Sequence, residues 1–341
     1  MSPVSATDRQ TRTPARMTRS VMIAALVLFC GHAGTGFAQS DYPTRPITMI
    51  VPFAAGGPTD VIARLLEGSL SRSLSQQIVI ENVVGAGGTT AATRAMRAAP
   101  DGYTIMLGNM GTHAAAVALY PKLAYFPSTD FAPIGLVVRT SILMVARKDF
   151  PARDLTAFIA YANEHAGELK MAHAGIGSVS YVACALFNAI IGVSPKLAGF
   201  QGTEPAMSAL LAGKADYMCD QTVAIVPRAK ALSIHVYAVA SPTRNRSLPD
   251  IPTAQEAGLP QFEVTAWNAL FALKGTPRPI IDKLNAALGT ALADPAVRKA
   301  LLDVGSEIPD HPDRSPEALA RLVRHEIARW MHIPRFGEAK N

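Results

Sequence analysis

A chain of 341 residues, 49% of them hydrophobic, holds enough apolar material for two ordinary domains with cores of their own. Its formal charge of +6 is partly an address: residues 1–38 contain four arginines and one aspartate, and without them the balance falls to +3. So small a surplus argues against nucleic acid as a partner, and no Cys/His spacing fits a zinc site or any other metal centre.

The first residues read as a leader. Arg9, Arg12, Arg16 and Arg19 precede a ten-residue apolar run at 21–30, too short to span a bilayer. Gly36-Phe37-Ala38 then sets small residues at the two positions that matter for cleavage before Gln39. This is the pattern of a secretory signal peptide, cleaved near Ala38, and it predicts export to the periplasm. Phe29 is bulky where a lipoprotein site at Cys30 needs a small residue, so no lipid anchor is expected. Export also bears on Cys184 and Cys219, the two cysteines of the mature chain. An oxidising compartment permits a disulfide between them. A pair of buried free thiols is the alternative, because the distance that decides is not in the sequence.

Residues 47–53 form a short apolar run closed by breakers, which predicts a buried strand. It ends at Ala54-Ala55-Gly56-Gly57, and Pro58 suits the first position of a helix reaching about Leu74. A strand that passes through glycines into a helix aims backbone N–H groups at one spot under the positive end of the helix dipole. That is an anion site, although Gly56-Gly57 alone fits a plain tight turn as well. The pattern then repeats. A strand at 77–83 closes on Val84-Gly85-Ala86-Gly87-Gly88, a helix runs to about Ala98, and a strand at 103–107 leads to Gly108 and on to His113. This alternation predicts an α/β domain with a parallel sheet.

One long β stretch follows at 134–147, read as a crossing from one lobe to another. A second α/β pattern comes next: a helix at 155–164, a strand at 169–174 opening on Gly175-Ile176-Gly177-Ser178, and a helix to Ile191. A strand to Gly199 precedes Phe200-Gln201-Gly202, then come a helix at 204–211, a strand at 215–219 ending on Asp220-Gln221, and a strand at 234–240. The polar, proline-rich segment 241–262 reads as irregular, with Thr253 and Glu256 as the capping box of one short helix. A β run at 264–273 is the return crossing. The rest reads as helical, with Thr276-Pro277 and Ser315-Pro316 at helix starts and the last helix ending near Met331. Two α/β lobes joined by two crossing strands form a clam. Ligands of such sheets sit beyond the carboxyl ends of the strands, where each of these glycine loops lies.

Several stretches carry a family resemblance: YPTRPITMIVPFAAGGPTDVIAR, ENVVGAGGTTAATRAMRAAPDGYTIMLG, DFAPI, GSVS, PAMSALLAGKADYMCD, SLPDIPTAQEAGLP and WNALFALKGTP. In order, over nearly the whole mature chain, they resemble the extracytoplasmic solute-binding receptors of tripartite tricarboxylate transporters, the Bug receptors. The resemblance implies a two-lobed type II periplasmic binding-protein fold, each lobe a mostly parallel sheet flanked by helices. With the crossings above, one lobe takes 42–139 and 268–341 and the other 140–267. It also implies a small carboxylate between the lobes and a partner in the membrane, either permease subunits or a sensor. The expected receptor is a monomer that is not an enzyme and needs no cofactor.

Residue by residue, the family's first ligand loop falls on Phe53, Ala54, Ala55, Gly56, Gly57 and Asp60, and another on Asn109, Thr112 and His113. The second lobe supplies Gly175, Gly177, Ser178, Gly202 and Asp220, and Trp267 stands at the hinge. Two positions depart from the pattern. Tyr181 stands where relatives often carry His, and Phe200-Gln201 stands where they often carry Tyr and a basic residue. Without that base, and with Phe53, Tyr181, Phe200 and Trp267 as candidate walls, a carboxylate with an apolar or aromatic body is expected rather than a tricarboxylate. Asp60 fits a structural role in the first helical turn better than a ligand contact, and His113 fits a structural histidine better than a titrating one. The rival reading is an enzyme. Thr90 stands where a dinucleotide fingerprint needs its third glycine, and no nucleophile elbow is present. A hydrolase would need Ser178, His113 and Asp220 to meet.

Overall fold

The computed structural model describes residues 42–333, so the leader expected at 1–38 lies outside the described residues. Strand β1 (Ile47–Val51) is parallel to β2 (Ile78–Asn82) and to β3 (Thr104–Asn109). The helices that cross between them are α1 (Pro58–Leu74) and α2 (Thr89–Met96). Helix α1 opens on Pro58 and buries Ile62, Leu66, Leu70 and Leu74 along one stripe, four residues apart. It stops where Ser75 turns left-handed.

The later half of the sheet repeats the scheme. After α3 (Leu155–Glu164), β5 (Lys170–His173) is parallel to β6 (Lys196–Gly199) and to β7 (Tyr217–Gln221). Helices α4 (Val179–Ile191) and α5 (Thr203–Leu211) make the crossings. Strand β4 (Phe131–Arg147) joins the halves. Its first part, through Ser141, is antiparallel to β9 (Thr265–Leu273), and from Ile142 onward it is antiparallel to β7 and to β8 (Ile234–Val239). Since β9 also pairs with β3, the strand order is β2-β1-β3-β9-β4-β7-β5-β6. The two expected crossings are therefore the two central strands. A disulfide joins Cys184 on α4 to Cys219 on β7, with Cα atoms 5.1 Å apart and both residues buried.

Three expectations change. Asp220 and Gln221 are the end of β7 rather than the loop after it, and helix α6 (Thr222–Lys230) follows at once. Apolar, partly β-branched residues and the internal Pro227 hide that helix in the sequence. Burial of Val223, Ala224, Ile225 and Val226 holds it in place. The capping box forms, with the Thr253 N–H donating to Glu256 Oε2 at 2.7 Å and the Glu256 N–H to Thr253 Oγ1 at 3.0 Å. It closes a run of turns instead of a helix. The helical tail breaks at Asp294-Pro295 into α7 (Arg278–Ala293) and α8 (Pro295–Asp303), and α9 (Pro316–His332) closes the described residues. Between α8 and α9 the two-residue β10 (Ser306–Glu307) pairs with β4 and is too short to leave a periodic signal. Among the described residues, no helix is long and apolar enough to cross a membrane.

Candidate functional site

The carboxyl ends of β1, β2, β3, β5 and β6 all feed loops that press against one another. A Cβ placed on Gly87 would lie 1.7 Å from the carbonyl oxygen of Ile176, and one on Gly111 would lie 2.5 Å from that of Gly177. A Cβ on Gly202 would reach within 3.0 Å of Ala54 Cβ, and one on Gly56 within 2.9 Å of Glu204 Cγ. Side chains at these corners would hold the loops apart, so the glycines are what let the backbones meet. Tyr120 reinforces the contact, its hydroxyl lying within hydrogen-bond distance of the carbonyl oxygens of both Ala86 and Ile176.

Two adjoining hollows remain between the loops, with Phe53 and Ala174 forming a common wall. The inner one is lined by Thr59, Asn109, Ser178, Ser180, Thr203, Asp220 and Gln221, and offers about 10 Å³ to the centre of a water molecule. That is room for one water. The outer one has a volume of about 270 Å³ and is lined by Gly85 to Gly88, Tyr120, Gly175, Ile176, Phe200 and Gln201. It lies just below the roughly 300–1,000 Å³ usual for small-molecule sites, which suits a ligand of a few carbons. No Lys, Arg or His lines either hollow among the described residues.

Strand alternation explains the polar wall. Asn109 ends β3 and lies opposite Asn268 of β9. Asn109 Nδ2 donates to Thr59 Oγ1 at 3.2 Å, and Thr59 donates onward to Asn268 Oδ1 at 3.3 Å. Asn268 Nδ2 donates to Gln221 Oε1 at 2.9 Å, and Thr140 of β4 donates to the same oxygen at 2.9 Å. A buried, uncharged ladder thus runs from β3 across both central strands to β7. Asp220, 1% exposed, accepts from Thr203 Oγ1 at 2.7 Å and from the Gln221 N–H at 2.7 Å. Burial pushes its carboxyl up to about 6, against the pull of those two hydrogen bonds. Ser178 caps α4 by accepting from the Tyr181 N–H, and its hydroxyl meets that of Ser180 at 3.1 Å.

Other candidates stand elsewhere. Asp60 is buried and accepts from the Gly56 N–H at 2.8 Å, Arg64 Nε at 2.8 Å and Asn82 Nδ2 at 3.0 Å. Burial alone would raise its pKa, but these bonds outweigh it and hold the carboxyl below the ordinary range. The protein's own acid therefore occupies one of the N–H groups expected to face an anion. The Gly57 N–H points at Ala54 O at 3.4 Å, while Ala55 and Gly56 are exposed. Thr112 staples the β3 loop through Asn109 and its carbonyl is taken by Tyr125, so it braces the wall and does not line it. Tyr181 packs in the core with its ring edge-on to His173. Trp267 faces away from both hollows, because side chains on a strand alternate and its neighbour Asn268 takes the inward position. It lines a separate cavity of about 420 Å³ with Arg139, Glu326 and Arg329.

His113 is a core residue. Its ring stacks on Phe271 at 3.9 Å, meets Phe131 edge-on, fills the space that a side chain on Gly108 would need, and bonds Thr112 Oγ1 at 2.9 Å. It touches neither Ser178 nor Asp220 in any hydrogen bond, so the triad of the rival reading is not assembled. Burial pushes its imidazole down to about 3. A histidine with a depressed folded pKa supports the fold fully above about 6.5 and loses that support as the pH falls toward about 3. Urea unfolding should therefore show wild type losing about 2 kcal/mol more than His113→Leu between about pH 7 and pH 5. Equal losses in the two proteins would contradict a buried neutral imidazole.

The profile of the family described as tripartite tricarboxylate transporter family receptor matches residues 62–336. An Agrobacterium vitis protein, described as UPF0065 protein in the TAR-I ttuE-ttuC' intergenic region, is 40% identical over 296 residues, covering 87% of this chain and 85% of its own. The solved structure of MatC from Rhodopseudomonas palustris with bound malate is 50% identical at a TM-score of 0.84, covering 85% of this chain and 99% of that one. A second R. palustris protein, Rpa4515 with adipate, is 33% identical at a TM-score of 0.81, covering 85% of this chain and 96% of that one.

Proposed function

For a chain that belongs to the tripartite tricarboxylate transporter receptor family, we propose capture of a small aliphatic dicarboxylate between two lobes, 42–139 with 268–341 and 140–267, and its delivery to membrane permease subunits. The observation that carries this reading is the pair of hollows enclosed by glycine loops from both halves of the sheet. Such a site excludes water and surrounds a ligand with backbone and hydroxyl groups. Hydrogen bonds to an ionised group are each worth about 1.5–3 kcal/mol, and desolvating the ion costs several. A few of them leave binding on the order of micromolar, which suits a receptor that must also let go. No bond is made or broken in this function, and the leader at 1–38 carries the chain to the periplasm.

The outer hollow, with Phe53, Tyr120, Ile176 and Phe200 around it, favours a ligand whose middle is apolar over a branched triacid. Malate and adipate, bound by the two R. palustris relatives, bracket the expected length. Titration calorimetry of the mature protein with malate, succinate, adipate, citrate and benzoate tests the assignment. Micromolar binding of one of the first three is expected. Binding of citrate or benzoate alone would overturn the dicarboxylate reading.

A further inference from the structure

A carboxylate already stands in the place proposed for an anion. Asp220 lies in the wall of the inner hollow, almost wholly buried, with one oxygen held by Thr203 Oγ1 and the other by the Gln221 N–H. Among the described residues, no cationic side chain bonds to it. The charged groups packed nearest are Glu204 at the start of α5 and Arg228 of α6, and those two are spent on each other in a two-oxygen ion pair at 2.7 and 2.8 Å. Across β4 it faces the apolar Leu143. At the end of β5, the buried His173 takes the Gly175 N–H on its Nδ1 and has its own pKa lowered by burial, so it is neutral. From the first half of the sheet come Thr59 and Asn109, both uncharged, and the nearby Asp60 is neutralised by Arg64. A ligand carboxylate oxygen that takes the place of the one water in the inner hollow meets Asp220 with no cation lining the site among the described residues, and two such carboxylates cannot both keep their charge.

We propose that Asp220 takes up one proton from solvent when a carboxylate ligand binds, so that each anion captured enters with a proton. The inference rests on the dicarboxylate reading above. The protonated carboxyl then donates to a ligand oxygen, and what was a repulsion becomes a hydrogen bond. An empty-state carboxyl already raised to about 6 by burial is consistent with this, and the ligand's charge must lift it to about 9 for uptake to be complete near pH 7.5. The same geometry selects ligands. An anion that brings no donor of its own must recruit the proton, whereas an α-ammonium on the ligand would satisfy Asp220 directly and bind without one.

The test uses succinate, which has no ammonium and is fully ionised at neutral pH. Calorimetric titration in phosphate and in Tris, buffers of different ionisation enthalpy, counts the protons taken up by the wild-type protein. Close to one proton per succinate at about pH 7.5 is expected, and the dissociation constant should rise about tenfold from about pH 7 to pH 8. Asp220→Asn should bind with no proton uptake and with a dissociation constant that stays flat from about pH 7 to pH 8. Succinate binding in wild type with zero protons and a flat pH profile would overturn the inference and leave the receptor reading standing. Failure of succinate, malate and adipate to bind at any pH would overturn both. If the asparagine variant does not fold, the two-buffer count on wild type decides alone.

Discussion

Gly87→Ala is expected to weaken ligand binding at least about 100-fold, close to 3 kcal/mol, while the urea midpoint of the empty protein falls by an amount worth only about 1–2 kcal/mol. The added Cβ would lie 1.7 Å from the Ile176 carbonyl oxygen, so the two loops must draw apart by more than an ångström before they can coexist. Gly87 is also left-handed at φ 61, which costs alanine about 1–2 kcal/mol. The strain falls on a loop that faces another loop and leaves the sheet untouched, so binding suffers more than folding. Gly57→Ala is the control. Its backbone is extended, at φ −73, and a Cβ there would meet Ala54 O at an ordinary 3.5 Å. Affinity within about threefold of wild type is expected for that variant. Equal effects from the two substitutions would mean that the Gly87–Ile176 approach has no part in holding the ligand.

The second large effect is on stability. Replacing both Cys184 and Cys219 with alanine removes a cross-link between residues 35 apart in sequence. For a loop of that length, the chain-entropy relation gives about 3–4 kcal/mol. Loss of packing adds little, because alanine leaves only two small gaps in a buried seam. The variant should unfold in urea at a correspondingly lower midpoint, with the slope of the transition increased as its denatured chain expands. A midpoint shift worth less than about 1 kcal/mol would show that the bond does not limit the unfolded chain. Since the disulfide ties α4, capped by Ser178, to β7, which ends on Asp220 and Gln221, it also fixes the spacing of two walls of the inner hollow.

Much of this arrangement was legible in the residues. The alternation of apolar runs with glycine loops placed β1, β5 and their following helices within a residue or two, because buried parallel strands need such runs and nothing else in the chain competes with them. The first crossing was readable from length, since the β run at 134–147 exceeds what one half of the sheet can pair, and the β run at 264–273 followed as its return. What escaped was set by three-dimensional facing. Trp267 and Asn268 are adjacent in sequence, and only the pairing of β9 with β3 decides that the asparagine points inward. Thr203, Ser180 and Gln221 are ordinary polar residues until the loops fold over them. The resemblance put Thr112 and His113 in a ligand loop while His113 itself read as structural, and the wide helical turn Gly111–Ala115 buries both. Gly57 stood among the expected ligand residues and Gly87 did not, since steric conflict across the hollow cannot be seen from one loop alone.

The amide and hydroxyl ladder from Asn109 through Thr59, Asn268 and Gln221 to Thr140 contains no formal charge. Ionic strength acts on the bonds between fixed charges and hardly at all on those between neutral dipoles. Brine and dilute medium should therefore leave this ladder equally stiff, while the partly exposed Arg228–Glu204 pair feels the difference.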